Sequence, residues 1–178
     1  LRRSQIVYSS VFQGLTDAEF LAGYRIGGEL TVEQYLYAAQ ELAKNADEQV
    51  AILTAASKKF NDARVWNNLG VAQTQAGDKA AALKSFEKAA KLDSSKELNK
   101  NLLLANLANN NTAEAKKYAA AADAQAKAAL AAAEGDYKAA AKGLKGYNEA
   151  IALVQSNALA GAKKAIAKDN SAAADYLR

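Results

Sequence analysis

Residues 63–95 read ARVWNNLGVAQTQAGDKAAALKSFEKAAKLDSS and contain Trp66, the only tryptophan of the chain. On both sides of Gly77-Asp78 the apolar residues recur at spacings of three and four, which places them on one face of an α-helix. Glycine commonly ends a helix, and aspartate commonly starts the next one. The stretch therefore predicts two short amphipathic helices joined by a tight turn.

Helix start signals of the same kind recur along the chain. A Thr, Ser, Asn or Asp oxygen can accept a hydrogen bond from a free backbone amide of the first turn, and Glu or Gln three residues later strengthens the signal. Residues with that partner are Thr16, Thr31, Asn45, Ser94 and Asn111, and those without it are Asp62, Asp78, Asp123 and Asp136. From Thr31 onward these starts lie about 13 to 18 residues apart, which predicts helices of roughly 10 to 14 residues.

Segments about 33 residues apart also resemble one another. At that offset Asn68-Leu69 falls on Asn101-Leu102, and the turn Gly77-Asp78 falls on Asn110-Asn111. Gly-Asp returns at Gly135-Asp136. A repeat of this length made of two helices indicates stacked helical hairpins, each burying its apolar face against its neighbours.

The best of these hairpins resembles a tetratricopeptide repeat. The residues that carry the resemblance are Trp66, Leu69, Gly70, Ala82, Phe86 and Ala89. Gln73 and Ser94 depart from it, since the family usually has an aromatic residue and a proline there. The resemblance implies an all-α, right-handed α-α superhelix, a solenoid of antiparallel hairpins. We count one convincing repeat, two or three degenerate ones and a shorter unit from about Tyr147, in all nine or ten helices.

Within the best repeat the apolar spacing predicts which side chains form the core. Trp66, Leu69 and Ala72 are expected on the inner face of the first helix, opposite Leu83, Phe86 and Ala90 of the second. Small residues at Gly70 and Ala82 would let the two helices approach closely. We expect Trp66 to pack between neighbouring hairpins rather than on a binding surface.

The two ends of the chain differ from the repeats. Residues 1–30 contain extended-looking sequence and a short predicted helix, Asp17–Tyr24, and we expect them to cap the array or to join it to a preceding domain. The repeat domain is predicted over residues 31–178. A further first helix begins at about Ser171 and stops after a few residues, which predicts that the natural protein continues beyond Arg178.

The composition excludes several kinds of chemistry. The chain has no Cys and no His, so thiol nucleophiles, histidine relays and ordinary zinc sites are excluded. Glu134 and Asp136 are close in sequence, but Asp136 is better explained as a helix cap. We therefore predict a protein that is not an enzyme and has no cofactor and no metal. The absence of a basic block and of an apolar run of about 20 residues predicts no nucleic-acid partner and no transmembrane segment.

The tetratricopeptide resemblance implies a function and a site. In that family the first helices line a concave groove that takes peptides or partner helices. The residues that would face it here are Arg64, Asn67, Val71, Thr74, Lys100 and Leu104. Glu97 interrupts the positive charge, so the carboxylate clamp of some relatives is not expected. For Asn68 and Asn101 we favour hydrogen bonds between hairpins over ligand contact.

We therefore predict a scaffold that binds a protein or peptide and forms part of a larger protein. The alternative is a structural spacer whose groove is closed by its own neighbouring domain. The alanine-rich, degenerate repeats and the leading YSSVFQGLTDAEFLAGYRI are similar to the repeat regions of cell-envelope proteins from Bacteroides-like bacteria. That resemblance implies export to the periplasm or envelope, with a cytoplasmic location as the alternative.

Overall fold

The computed structural model describes residues 17–25 and 29–167, and in these ranges the chain is helical and has no β-strand. A first helix, α1 (Asp17–Arg25), precedes ten helices arranged as five consecutive hairpins. The first hairpin pairs α2 (Val32–Tyr37), which a π-helical turn (Ala38–Leu42) continues, with α3 (Ala46–Lys59), and the second pairs α4 (Ala63–Gln75) with α5 (Lys79–Ala90). The third pairs α6 (Lys96–Ala108) with α7 (Thr112–Ala115), which a 3₁₀ segment (Lys116–Ala121) continues. The fourth pairs α8 (Ala124–Ala133) with α9 (Tyr137–Gly143), and the fifth pairs α10 (Gly146–Gln155) with α11 (Leu159–Ile166). The predicted all-α, tetratricopeptide-like solenoid is confirmed.

Most of the predicted caps lie at helix starts, one is shifted by a residue, and Thr16 lies outside the described residues. The helices α10 and α11 begin after Lys145 and Ala158, which were not predicted as caps. All four of the predicted aspartate caps accept a hydrogen bond from a first-turn backbone N–H: Asp62, Asp78, Asp123 and Asp136. Thr31 forms a complete capping box with Gln34. The prediction of Ser94 was wrong by one residue, since Ser95 Oγ accepts from the Leu98 amide. Asn111 occupies the cap position of α7 without a side-chain hydrogen bond.

Four hairpin turns use the left-handed backbone conformation at one residue. Gly77 has φ +87° and Gly135 has φ +83°, while the equivalent positions of the α6–α7 and α10–α11 hairpins are Asn110 (φ +61°) and Asn157 (φ +60°). Glycine and asparagine are the residues that enter this region most readily. The structure thus confirms that Asn110 replaces Gly77 one repeat later.

The core of the best repeat forms around Gly70. Phe86 of α5 packs on the glycine, and Ala82 is buried in the same cluster as the ring. Leu69 and Ala72 were predicted to face α5, but both are buried in the cluster formed with the preceding hairpin. The residue buried near the end of α5 is Ala89, and the predicted Ala90 is exposed, because Ala89 continues the three-residue spacing from Phe86.

Trp66 is half-buried and contacts two core clusters, one formed with the preceding hairpin and one with the following hairpin. This confirms its predicted position between hairpins. The ammonium group of Lys88 lies 4.1 Å from the centre of the indole and covers its outer face.

The helix α1 contacts the first hairpin. The ring of Tyr24 meets Tyr35 edge-on at a centroid distance of 6.2 Å, and Tyr35 in turn meets Phe60 at 6.0 Å. The predicted extended segment before α1 and the predicted helix from Ser171 lie outside the described residues. The boundary at residue 30 between cap and repeats stays a prediction.

First helices and second helices lie on opposite sides of the array. Among the described helices, α4 contacts α6 and α6 contacts α8, whereas no two successive second helices contact each other to a similar extent. Because α6 contacts both α4 and α8 while successive second helices do not meet to that extent, we infer that the array curves toward the first helices. Their free faces line the concave side, and the second helices form the convex side.

Candidate protein-binding grooves

Grooves open between the hairpins of the described chain, and two of them include predicted site residues. The smaller, of about 160 Å³, lies between the first hairpin and α4. Its wall includes Leu36, Asn68 and Val71, together with the glutamines Gln40, Gln49 and Gln75. Polar glutamine side chains surround a small apolar patch, so this groove offers little buried area to a partner.

The larger groove, of about 570 Å³, lies between α6, α8 and α10. We call it the α6–α8–α10 groove. It is lined by Lys100 and Leu104 of α6, Gln125, Ala126, Ala129 and Ala132 of α8, Tyr137 of α9, Leu144, and Asn148, Ile151 and Ala152 of α10. Leu104 and Ile151 are 37% and 38% exposed, which is high for large aliphatic residues. Alanine on the floor and aliphatic residues at the sides make it an apolar trough.

The only lysine lining this groove is already paired. Lys100 Nζ lies 2.9 Å from Asp123 Oδ2, and this ion pair connects α6 to the start of α8. The backbone N–H of Ala126, and then Lys100, lower the pKa of the Asp123 carboxyl below its ordinary value. Asp123 in turn raises the pKa of Lys100. Lys100 is therefore charged but neutralised, and the groove carries no unpaired charged group among its lining residues.

Arg64, in the first turn of α4, forms ion pairs with two acidic residues. Its guanidinium lies 2.7 Å from Asp62 Oδ2 and 3.2 Å from Glu33 Oε1 of the preceding hairpin. The hydrogen bond from the Arg64 side chain lowers the pKa of Asp62 and raises that of Arg64. Arg64 thus links two hairpins and has no unpaired charge to offer a ligand carboxylate.

Asn67 also forms a bond between hairpins. Asn101 Nδ2 donates to Asn67 Oδ1 at 2.9 Å. The structure therefore supports the predicted hydrogen bond between adjacent hairpins for Asn101, but its partner is Asn67 and not Asn68, which lines the smaller groove. Thr74 Oγ1 donates to the Gly70 carbonyl one turn earlier, at 2.9 Å.

Of the six residues that were predicted to line one groove, three line the two grooves described here and three line neither. Val71 lines the smaller groove, and Lys100 and Leu104 line the α6–α8–α10 groove. Arg64, Asn67 and Thr74 line neither, and their contact with a partner stays a prediction. Tyr137, Asn148 and Ile151 line the groove but were not predicted, because α8 to α10 are alanine-rich and lack the repeat signature. The turn Gly135-Asp136 was the signal that could have set the register for them.

In residues 17–25 and 29–167, no three acidic side chains come together in a way that could hold a metal ion. The same residues include no helix long and apolar enough to cross a bilayer. What the grooves offer chemically is apolar surface with a few amide and hydroxyl groups, the composition of a surface that binds a protein or peptide.

Comparison with known proteins points to the same kind of molecule. Residues 63–96 match the sequence model of the tetratricopeptide repeat. The match coincides with α4, α5 and the start of α6 and includes both Trp66 and Phe86. Proteins with this repeat are generally non-catalytic scaffolds for protein–protein interaction, and no enzyme family is indicated. No curated protein matches the chain significantly.

Proposed function

We propose that the protein is a scaffold that binds a protein or peptide in the α6–α8–α10 groove. The observation that carries the proposal is the pair of exposed aliphatic residues, Leu104 and Ile151, above a floor of alanine. Small floor residues leave room for larger apolar side chains of a partner, and such side chains commonly supply most of the binding energy. The tetratricopeptide repeat at 63–96 supports the proposal independently of this geometry.

The charge of the groove indicates which kinds of partner segment it can bind. Because Lys100 is neutralised by Asp123, the groove attracts neither an acidic C-terminus nor a phosphorylated segment. An apolar side of a partner helix or an extended apolar segment suits it, with Gln125 and Asn148 available for backbone groups of the partner.

Groove variants with a matched control test this proposal. Leu104→Gln and Ile151→Gln place a polar amide in the groove and keep a good helix former. The control is Val154→Gln, because Val154 lies on the same helix as Ile151, is more exposed (51%) and does not line the groove. The chain is crosslinked in its native cells, the partner is identified by mass spectrometry, and its affinity is measured with purified components.

We expect both groove variants to weaken binding about tenfold or more, since loss of a central apolar anchor typically costs over 1 kcal/mol. Val154→Gln should bind like the unmodified chain. Full affinity in both groove variants would refute the groove as the binding surface.

A second proposal keeps the same groove but changes the occupant. We propose as the alternative that the chain is a structural spacer in a larger, envelope-associated protein, whose neighbouring domain covers Leu104 and Ile151. The exposure of these residues supports it equally, because a neighbouring domain of the same protein can bury them. In an Ile151→Cys variant, crosslinks from the new thiol would then form within one polypeptide and not to a second protein. Export to the periplasm or envelope belongs to this alternative and stays a prediction.

A further inference from the structure

Positive charge is concentrated in the second part of the chain. Residues 1–78 hold 7 basic and 9 acidic residues, whereas residues 79–167 hold 14 basic residues, all of them lysine, and 8 acidic ones. Residues 79–167, which comprise α5 to α11, therefore have an excess of six positive charges, although the net charge of the whole chain is only +4. Such separation produces a local potential that the net charge of the whole chain does not describe.

Within this part, the convex helices α9 and α11 carry lysine and no acidic residue. Lys138 and Lys142 are exposed on α9, and Lys163 and Lys164 are exposed on α11. We call these four residues the lysine face. The buried side of each helix is formed by other residues, Ala140 and Ala141 in α9 and Ala162, Ala165 and Ile166 in α11. The lysines thus lie away from the core, on the convex side.

The lysine face has no counter-charge of its own. Other lysines of the array are paired: Lys116 with Glu134, Lys117 with Glu114, and Lys100 with Asp123. None of the four lysines of the face forms an ion pair with any part of the chain that the structure describes. Asp136, the nearest acidic residue before α9, uses its side chain to cap that helix. The face therefore presents four lysine charges that have no ion-pair partner among the described residues.

We propose that the lysine face binds the surface of a membrane rich in anionic lipid. Lysine is a compact charge on a flexible stem, suited to diffuse attraction by many headgroups, whereas arginine is preferred for forked contacts to individual phosphates. The described residues 79–167 contain no arginine.

The shape of the face also favours a lipid surface over a nucleic acid. It lies on the second helices, and none of its four lysines lines either of the two grooves described above. Neither helix offers an exposed aromatic ring for base stacking, since Tyr137 of α9 lines the α6–α8–α10 groove instead. Within α9 only alanines separate Lys138 from Lys142, so the longer lysine side chains extend beyond their neighbours.

This binding is independent of the proposed scaffold function. The lysine face lies on the second helices, and the groove is lined mainly by first helices, so a membrane on one side leaves the groove open on the other. The protein would then hold its partner at a membrane surface without a transmembrane segment of its own in the described residues.

Vesicle co-sedimentation with the full 178-residue chain tests the proposal. The vesicles contain phosphatidylcholine alone or with phosphatidylglycerol at about a third of the lipid. Each lysine near an anionic surface contributes about 1 kcal/mol, or roughly a fivefold change in partitioning. We expect binding to the anionic vesicles only, and its loss at 0.5 M salt, where charges are screened within a few ångströms.

Two variants with equal net charge distinguish the face from overall charge. The test variant is Lys138→Gln, Lys142→Gln, Lys163→Gln and Lys164→Gln. The control replaces four exposed lysines elsewhere, Lys44→Gln, Lys58→Gln, Lys96→Gln and Lys127→Gln. Glutamine and lysine have similar helix propensities, and circular dichroism checks that both variants keep their helix content.

The test variant should partition more than tenfold less than the unmodified chain, and the control should lose much less. Three results would overturn the proposal: no binding of the unmodified chain to anionic vesicles, equal losses in both variants, or tighter binding of a duplex or single-stranded nucleic acid than of vesicles through the same lysines. Because the groove is untouched in the test variant, retention of its protein partner separates this result from the fate of the scaffold proposal.

Discussion

Gly70 of α4 packs directly against the ring of Phe86 in α5. A Cβ atom built on Gly70 would lie 2.7 Å from Cε1 of that ring and within 2.9 Å of two more of its atoms. Phe86 is fully buried, and its neighbours Ala82 and Ala89 are buried as well, so the ring has little room to move. The close approach of α4 and α5, and with it the shape of the best hairpin, depends on this glycine.

Gly70→Ala should therefore destabilise the protein although it improves helix propensity. Overpacking of a core costs about 1–3 kcal/mol, against a gain of about 1 kcal/mol for replacing glycine within a helix. We expect a net loss of up to about 2 kcal/mol in the free energy of unfolding, measured by urea denaturation with Trp66 fluorescence. Gly161→Ala is the control: its nearest contact would be the flexible end of Leu153 at 3.3 Å, and it should cost clearly less.

The sequence predicted this hairpin because large apolar residues and a single Gly-Asp turn left one helical register. Prediction failed where the residues are less distinctive. Ser94 and Ser95 are adjacent hydroxyl residues that can both cap a helix, and Glu97 favoured the wrong one. In α8 to α10, alanine occurs on buried and exposed faces alike, so periodicity could not show that Ile151 faces a groove.

Gly135, which lies in a left-handed turn, allows a stability prediction that does not depend on side-chain packing. A Cβ at Gly135 would have no atom within 4 Å, so Gly135→Ala changes only the backbone preference at φ +83°. We expect a loss of about 1 kcal/mol in stability, since an L-residue pays roughly 1–2 kcal/mol in this region.

The reverse change tests the same reasoning at the other hairpins. Asn157→Gly, at φ +60°, should leave stability unchanged or raise it by a few tenths of a kcal/mol, since asparagine already tolerates this region. If Gly135→Ala were as stable as the unmodified protein, the backbone conformation of this turn would have to differ from the one described.

The ion pair of Asp62 with Arg64 predicts a pH dependence of stability. Arg64 lowers the pKa of Asp62 in the folded protein, so the carboxylate is stabilised by folding. That stabilisation is complete above the unfolded pKa of about 4 and is lost as the pH falls through the lower folded value. Asp62→Asn keeps an oxygen to cap α4 and removes the charge. It should be less stable by about 0.5–1 kcal/mol at pH 7, with the difference disappearing in strong acid.

Unfolding in urea at several pH values measures this difference. Asp47→Asn is the matched control, because Asp47 is exposed in the first turn of α3 and forms no ion pair in the part of the chain that the structure describes. A difference between Asp62→Asn and the unmodified protein that stays constant from pH 7 into strong acid would show that the ion pair does not contribute.

The core becomes poorer in large side chains toward the C-terminal hairpins, and this predicts uneven stability. Around the first hairpin the core contains Tyr35, Ile52 and Val65, whereas the α10–α11 cluster consists of alanines with Ile166 and half-buried Leu153. Each missing buried methylene removes about 0.8 kcal/mol of stabilisation. Because hairpins in an array contact only their neighbours, such losses remain local.

Amide hydrogen exchange should therefore show at least tenfold lower protection in α9 to α11 than in α4 and α5. The interior position of α9 separates this cause from fraying of a chain end: its cluster of Ala140, Ala141 and Ala152 is also made of small residues, yet a further hairpin follows it. If the alanine core is the cause, α9 exchanges nearly as fast as α11. If α9 is as well protected as α4, the low protection of α11 is caused by its position as the last described helix and not by its alanine core. Equal protection in all helices would mean that the five hairpins unfold as one cooperative unit.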